Sequence, residues 1–189
     1  KEDRHLKPFI TSGIPSKDNG LDIEGVAIAD NNRLFLGLRG PVLRGWAMIL
    51  EIELTLEEPG VLMLEEITDE GAKYKKHFLD LNGLGIRELC LQGEDLIILA
   101  GPTMAVEGEI EVFRWKDILN HSGNNIHEQG EESLFPLFDL PFTVGSDHAE
   151  GLALYSCWGQ QNSLMIFYDS PNSNRLREDK RIQVDVFQI

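Results

Sequence analysis

The feature that most restricts how this chain can fold is a threefold internal repeat. The first segment runs Leu21–Ile28, turns at Asp30-Asn31-Asn32 and continues Arg33–Pro41. The second runs Gly85–Leu91, turns at Gly93-Glu94-Asp95 and continues Leu96–Pro102. The third runs Asp147–Tyr155 and, after a longer turn, Ser163–Pro171. Short apolar runs bounded by turn-forming residues predict strands. A proline, which has no N–H to give a ladder, stops the second strand of each pair. Aligned on their glutamates, the segments place Glu24, Glu88 and Glu150 at the strand heads, with spacings of 88 − 24 = 64 and 150 − 88 = 62. That exceeds the roughly 40–50 residues of common propeller blades, but it accommodates four strands with generous loops.

The rest of each period supplies the missing strands. Gly45–Leu54 and Glu109–Trp115 read as third strands, the latter partly alternating as a half-buried strand does. Lys75–Leu81, Leu134–Leu140 and Arg181–Phe187 read as outer strands. The predicted fold is therefore all-β: three blade-like, four-stranded antiparallel repeats forming a partial (half) β-propeller. Residues 1–189 form one domain with units at about 21–82, 83–145 and 146–189. Residues 1–20 are read as a loop plus the outer strand of a preceding blade, at Leu6–Ile10. One short helix is expected at Trp115–Asn120, and the Gly-, Asn- and Glu-rich stretch from His121 to Glu132 as a loop. Propellers usually carry four to eight blades. Three sheets therefore call for self-association or for missing N-terminal blades of a longer parent chain.

Charge narrows the partners. Asp and Glu number 32 against 17 Lys and Arg, a formal charge of −15. A field of that sign repels nucleic acid and anionic membrane, so neither is expected as a partner. No apolar run approaches the roughly 18 residues of a membrane span, and no signal peptide is visible. The chain opens at Lys1 without a methionine, as a processed piece would. The cytoplasm is favoured. Two cysteines are too few for a disulfide framework: Cys90 reads as a buried small residue and Cys157 as a turn residue with no basic neighbour. Trp46, Trp115 and Trp158 read as core filler.

In an antiparallel hairpin, the start of one strand and the end of the next share an edge. Glu24 and Arg39 thus reach one rim, as do Glu88 and Arg87 beside Gly101-Pro102, and Asp147, His148 and Glu150 beside Asp169 and Ser170. The predicted ligand site is Glu24, Arg39, Arg87, Glu88, Asp147, His148 and Glu150. Glu24, Glu88 and Glu150 are the metal candidates, because grouped carboxylates bind Ca²⁺ or Mg²⁺ through oxygen. The architectural reading stands beside this one: a glutamate recurring once per repeat can accept backbone N–H bonds or pair with an arginine, and a histidine at a strand entry can be structural. Gly25 and Gly151 read as sites of close approach, and Gly40-Pro41 and Gly101-Pro102 as strand terminators. No nucleophile elbow, zinc-type cysteine cluster or phosphate loop is present.

Through Asp22–Ala27, Gly37–Pro41, Gly83–Leu89 and Asp147–Gly151, most of the chain resembles a bacterial domain-of-unknown-function family of β-propeller type, as the C-terminal part of a longer member. The Glu-Gly strand heads are more loosely similar to propellers of esterase-like phytases and calcium-dependent lactonases, which implies a channel glutamate able to bind metal. Glu88 departs from that pattern because Leu89 follows it. Two functions are expected: a propeller-type binding module for a small molecule or protein at the channel mouth, or a metal-assisted (Ca or Mg) phosphoester or ester hydrolase with Arg39 and Arg87 holding the anion.

Overall fold

The computed structural model describes residues 3–29, 32–104, 106–130, 132–156 and 162–189. Cys157, Trp158 and the Asp30-Asn31 part of the first turn lie outside the described residues. The fold is all-β. Its first sheet is built from β1 (Asp22–Ala29), β2 (Arg33–Leu43), β3 (Trp46–Glu58) and β5 (Lys75–Asp80) in that order, with β4 (Val61–Leu64) folded back on β3. Next come β6 (Gly85–Gln92), β7 (Asp95–Gly101) and β8 (Ile110–Trp115) of the second sheet. The chain then returns to the first sheet as β9 (Asn125–His127), which lies parallel to β5, before completing the second sheet with β10 (Leu134–Leu140) in the order β10-β8-β7-β6. The third sheet is β11 (His148–Leu154), β12 (Ser163–Asp169) and β13 (Asp185–Gln188). Every strand pair other than β5–β9 is antiparallel.

Several local expectations are corrected. The second sheet has four strands, whereas the first has six and the third has three. The expected outer strand at Leu6–Ile10 is instead the helix α1 (Lys7–Thr11). Asp3 Oδ1 accepts the N–H groups of His5 (2.8 Å) and Leu6 (2.9 Å), and Pro8 falls in the first turn, where its missing N–H removes no bond. Only Ile118–Asn120 of the expected Trp115–Asn120 helix is helical, as one 3-10 turn. The stretch read as a loop contains β9. Nor does Pro41 end its strand: β2 continues through a cis Gly40–Pro41 peptide to Leu43. Asn19 supports the continuation, its side chain accepting the Val42 N–H at 2.8 Å and donating to the Val42 carbonyl at 3.3 Å.

The sheets stack face to face with their first strands adjacent: β6 packs on β1 and β2, and β11 packs on β6 and β7. Two apolar cores result between the sheets. Between sheets one and two lie Ala27, Phe35, Ala47 and Ile49 against Ile86, Leu89, Phe113 and Trp115. Between sheets two and three lie Ile97, Leu99 and Val112 against Ala149, Leu152 and Ile166. Gly25 and Gly37 permit the first approach. A Cβ on Gly37 would lie 2.4 Å from Ile86 Cγ2, and one on Gly25 would lie 2.8 Å from Leu89 Cγ.

Candidate functional site

The rim of the stack is shaped by one recurring irregularity. Along β1, Ile23 faces Leu38 and Gly25 faces Gly37, so Glu24 is an extra residue in the ladder. Along β6, Ile86 faces Ala100 and Glu88 faces Leu99, which makes Arg87 the extra residue. Along β11, Ala149 faces Tyr168 and Gly151 faces Phe167, and the extra residue is Glu150. These are β-bulges, which bend a strand and re-aim a side chain. The spacing becomes regular on this count, 87 − 24 = 63 and 150 − 87 = 63. The repeat position belongs to Glu24, Arg87 and Glu150. Alignment by glutamates places Glu88 one residue late, since its structural counterparts are Gly25 and Gly151.

The bulge residues form ion pairs with arginine at both junctions. Arg39, itself buried, holds Glu24 at 2.7 Å and Asp22 at 3.5 Å, and its Nε donates to the Thr103 carbonyl of the second sheet's rim at 3.2 Å. Arg87 holds Glu150 of the third sheet at 2.8 Å and donates through Nη2 to the Pro102 carbonyl at 3.1 Å. Gly101 leaves room for this side chain, because a Cβ there would sit 2.7 Å from Arg87 Nε. His148 Nε2 lies 3.1 Å from Glu107, whose other oxygen accepts the Gly145 N–H at 3.0 Å.

Arg39, Arg87, His148 and Glu150 line one cavity of about 290 Å³. Lys17, Glu107 and Asp169 complete its charged wall, and Met104, Val106, Phe142 and Ile110 supply an apolar one. In a chain of charge −15, this lining balances its cations against its carboxylates. Such a mixed surface can hold an anionic group at the arginines and an apolar body beside them.

The remaining predicted residues lie elsewhere. Glu24 sits at the rim but outside the cavity lining, paired with Arg39. Glu88 turns back on its own strand, its carboxylate accepting the Leu89 N–H at 2.9 Å. Asp147 occupies a left-handed turn, with Oδ1 accepting the Asn172 N–H at 2.7 Å and Arg175 Nε at 2.9 Å. Arg175 also grips Asp185 and lies over the Tyr168 ring at 4.1 Å. Its hydrogen bonds hold the Asp185 carboxyl below the usual carboxylate range. Among the described residues, no group of three His, Cys, Asp or Glu side chains gathers in a metal-binding arrangement. Burial pushes the Cys90 thiol up, as suits an unreactive cysteine.

A second polar cluster, on the outer side of the first junction, escaped the sequence reading. Glu51 is buried with His77 Nε2 at 2.9 Å, Lys75 at 3.1 Å and Arg33 at 3.3 Å. Burial opposes ionisation of Glu51, but the bonds from His77 and Lys75 outweigh it and hold the carboxyl low. His77, His121 and His127 surround Trp115, with ring centroids 4.9–5.0 Å from the indole. Burial, reinforced by the His121 and His77 charges, lowers His127 to about 4. These residues come from β2, β3, β5, β8 and the β8–β10 connection, and no local spacing signals their meeting. The same holds for Lys17 and Glu107 at the rim.

A family model described as Protein of unknown function (DUF3616) matches residues 1–185. No curated protein and no solved structure matches the chain.

Proposed function

The chain belongs to the family described as Protein of unknown function (DUF3616), and on that premise we propose that it is a binding module, part of a β-propeller, that takes a small ligand at the rim cavity. One observation carries the reading: Arg39 and Arg87, each braced by a backbone carbonyl, face the same cavity of about 290 Å³. Guanidinium groups fixed in advance lose little freedom on binding, so their hydrogen bonds translate into affinity. The ligand class is a small molecule with one carboxylate or phosphate group and a short apolar portion. The volume sits at the small end of the roughly 300–1,000 Å³ typical of ligand pockets.

In this scheme the ligand anion displaces Glu150 from Arg87. Glu150 is nearly half exposed and returns to water readily, while the Pro102 carbonyl keeps Arg87 in place. The propeller reading draws support from the face-to-face sheets, their adjacent first strands and the 63-residue bulge spacing, with blades at about 21–82, 83–145 and 146–189. Metal-assisted hydrolysis with Ca²⁺ or Mg²⁺ on Glu24, Glu88 and Glu150 is the weaker reading. Two of those carboxylates already neutralise arginines, and the third faces its own backbone.

Titration calorimetry with small carboxylates and phosphomonoesters, with and without Ca²⁺ and Mg²⁺, tests both readings. A binding module gives metal-independent binding that weakens at least about tenfold in Arg87→Ala, as loss of a charged hydrogen bond requires. Ligands that bind Arg39→Ala and Arg87→Ala as tightly as the parent chain would refute the rim site. Binding that depends on Ca²⁺ would favour the hydrolase.

A further inference from the structure

Each sheet in the stack offers a leading face to the sheet before it and a trailing face to the sheet after it. On sheet two the leading row is Ile86 and Leu89 of β6 with Ile98 of β7, and it is packed against sheet one. Register assigns the same positions to Ala149, Leu152 and Ile166 on sheet three, packed against sheet two. On sheet one the same positions are Ile23, Val26 and Leu36. There Ile23 is 45% exposed and Val26 is 46% exposed, against 0% and 4% for Ile86 and Leu89. Leu6 beside α1 packs on Leu38 and Met48, toward β3, and leaves the β1 side open.

The trailing face shows the complementary break. On sheet one the trailing row is Gly25 and Ala27 of β1 with Gly37 and Phe35 of β2, and sheet two covers it. The equivalents on sheet three are Gly151 and Ala153 with Phe167 and Met165. Phe167 is 46% exposed, and a Cβ on Gly151 would meet only Phe167 of its own sheet. The molecule thus ends in an aliphatic row on one side and, on the other, in a row where Gly151 and Ala153 repeat Gly25 and Ala27 and Phe167 replaces Gly37. Their counterparts inside the chain are covered, and these are open.

We propose that the trailing face of sheet three receives the leading face of sheet one from a second copy of this chain. Two such junctions close a ring of six sheets, within the four to eight that propellers use. Val26 of one copy seats over Gly151 of its partner, as Leu89 seats over Gly25 within one chain, while Ile23 meets Phe167, which stands where Gly37 receives Ile86. The contact is apolar, and each copy carries a charge of −15. Added salt therefore strengthens the dimer by screening the repulsion. This proposal uses only the stacking of the sheets and does not rest on the ligand reading.

Sedimentation velocity over a concentration and salt series on the full chain tests it. The expected result is a dimer whose Kd rises more than about a hundredfold in Val26→Glu and in Phe167→Glu, since each buries an unpaired charge. Both side chains are exposed in the single copy, so circular dichroism should report an unchanged fold. An equimolar mixture of the two variants should recover a dimer, because one of its junctions joins an intact first sheet to an intact third. Three results would overturn the proposal. The wild-type chain could remain a monomer throughout, as expected if sheets of a longer chain occupy both faces. The dimer could be lost in Val26→Glu but kept in Phe167→Glu, which means first sheets pair with each other. Mass could grow without limit, which means the ring does not close.

Discussion

The two junctions inside the molecule solve one packing problem in opposite ways. Between sheets one and two, the receiving strands are small where the first strand of the next sheet arrives: Gly37 takes Ile86 and Gly25 takes Leu89, with Phe35 and Ile49 filling the core beside them. Between sheets two and three, the receiving sheet carries Ile97, Leu99 and Val112, while the arriving first strand begins with Ala149. Volume at these positions has moved from one partner to the other. The rims differ in the same spirit. Arg39 forms its ion pair within its own sheet and reaches across with a neutral hydrogen bond, whereas Arg87 sends its ion pair across. The two junctions thus differ most at one register position, Gly37 in the first and Leu99 in the second.

The sharpest way to break the comparison is to empty the second junction. Leu99 is fully buried, and Leu99→Ala should lower unfolding free energy by about 3 kcal/mol in urea titration. Filling the equivalent position of the first junction should do less. Gly37→Ala brings a methyl against Ile86 Cγ2 and should cost about 2 kcal/mol, and clearly less in an Ile86→Ala background, which lacks that methyl. If the cost of Gly37→Ala is the same in both backgrounds, the Gly37–Ile86 contact does not couple the sheets.

At the rim, Arg39→Met should cost about 1.5 kcal/mol because it strips a buried guanidinium from Glu24. Arg87→Met should cost no more than about 0.5 kcal/mol, since Glu150 is nearly half exposed. Chemical denaturation of both variants checks that order. The smallest effect separates the junctions by pH. His77 and Trp115 meet only across the first. His127 beside them is lowered from an ordinary 6.5 to about 4, so the unfolded chain binds its proton before the folded chain does. Its contribution is complete above about pH 6.5 and is lost as pH falls toward 4. His127→Gln should flatten the melting temperature across that window, and an unchanged slope would clear His127 of the effect.

Much of this architecture was legible in the sequence because hairpins announce themselves through turns and apolar runs. The strands around Gly93-Glu94-Asp95 fall where they were expected. Register was not legible at the strand heads. Ile86-Arg87-Glu88 and Ile23-Glu24-Gly25 differ in which letter is a glutamate, and only the ladder shows that Arg87 is the residue pushed out. Arg39, Arg87, His148 and Glu150 share a cavity because hairpin geometry carries them to one edge. The Asp147–Arg175 bond was not legible, because Arg175 is distant in sequence and lies outside any repeat. The repeat pattern extends an outer strand over Leu6–Ile10, but Pro8 is well suited to a helix start and the segment forms α1.

The three-residue strand β9 binds order of assembly to order of sequence. It borders the first sheet yet belongs to the connection that follows β8, and it hydrogen-bonds beside His77, Phe78 and Leu79. A nascent chain therefore cannot finish its first layer until most of the second has been made. The earlier layer carries an unsealed margin on β5 until residue 127 arrives to close it.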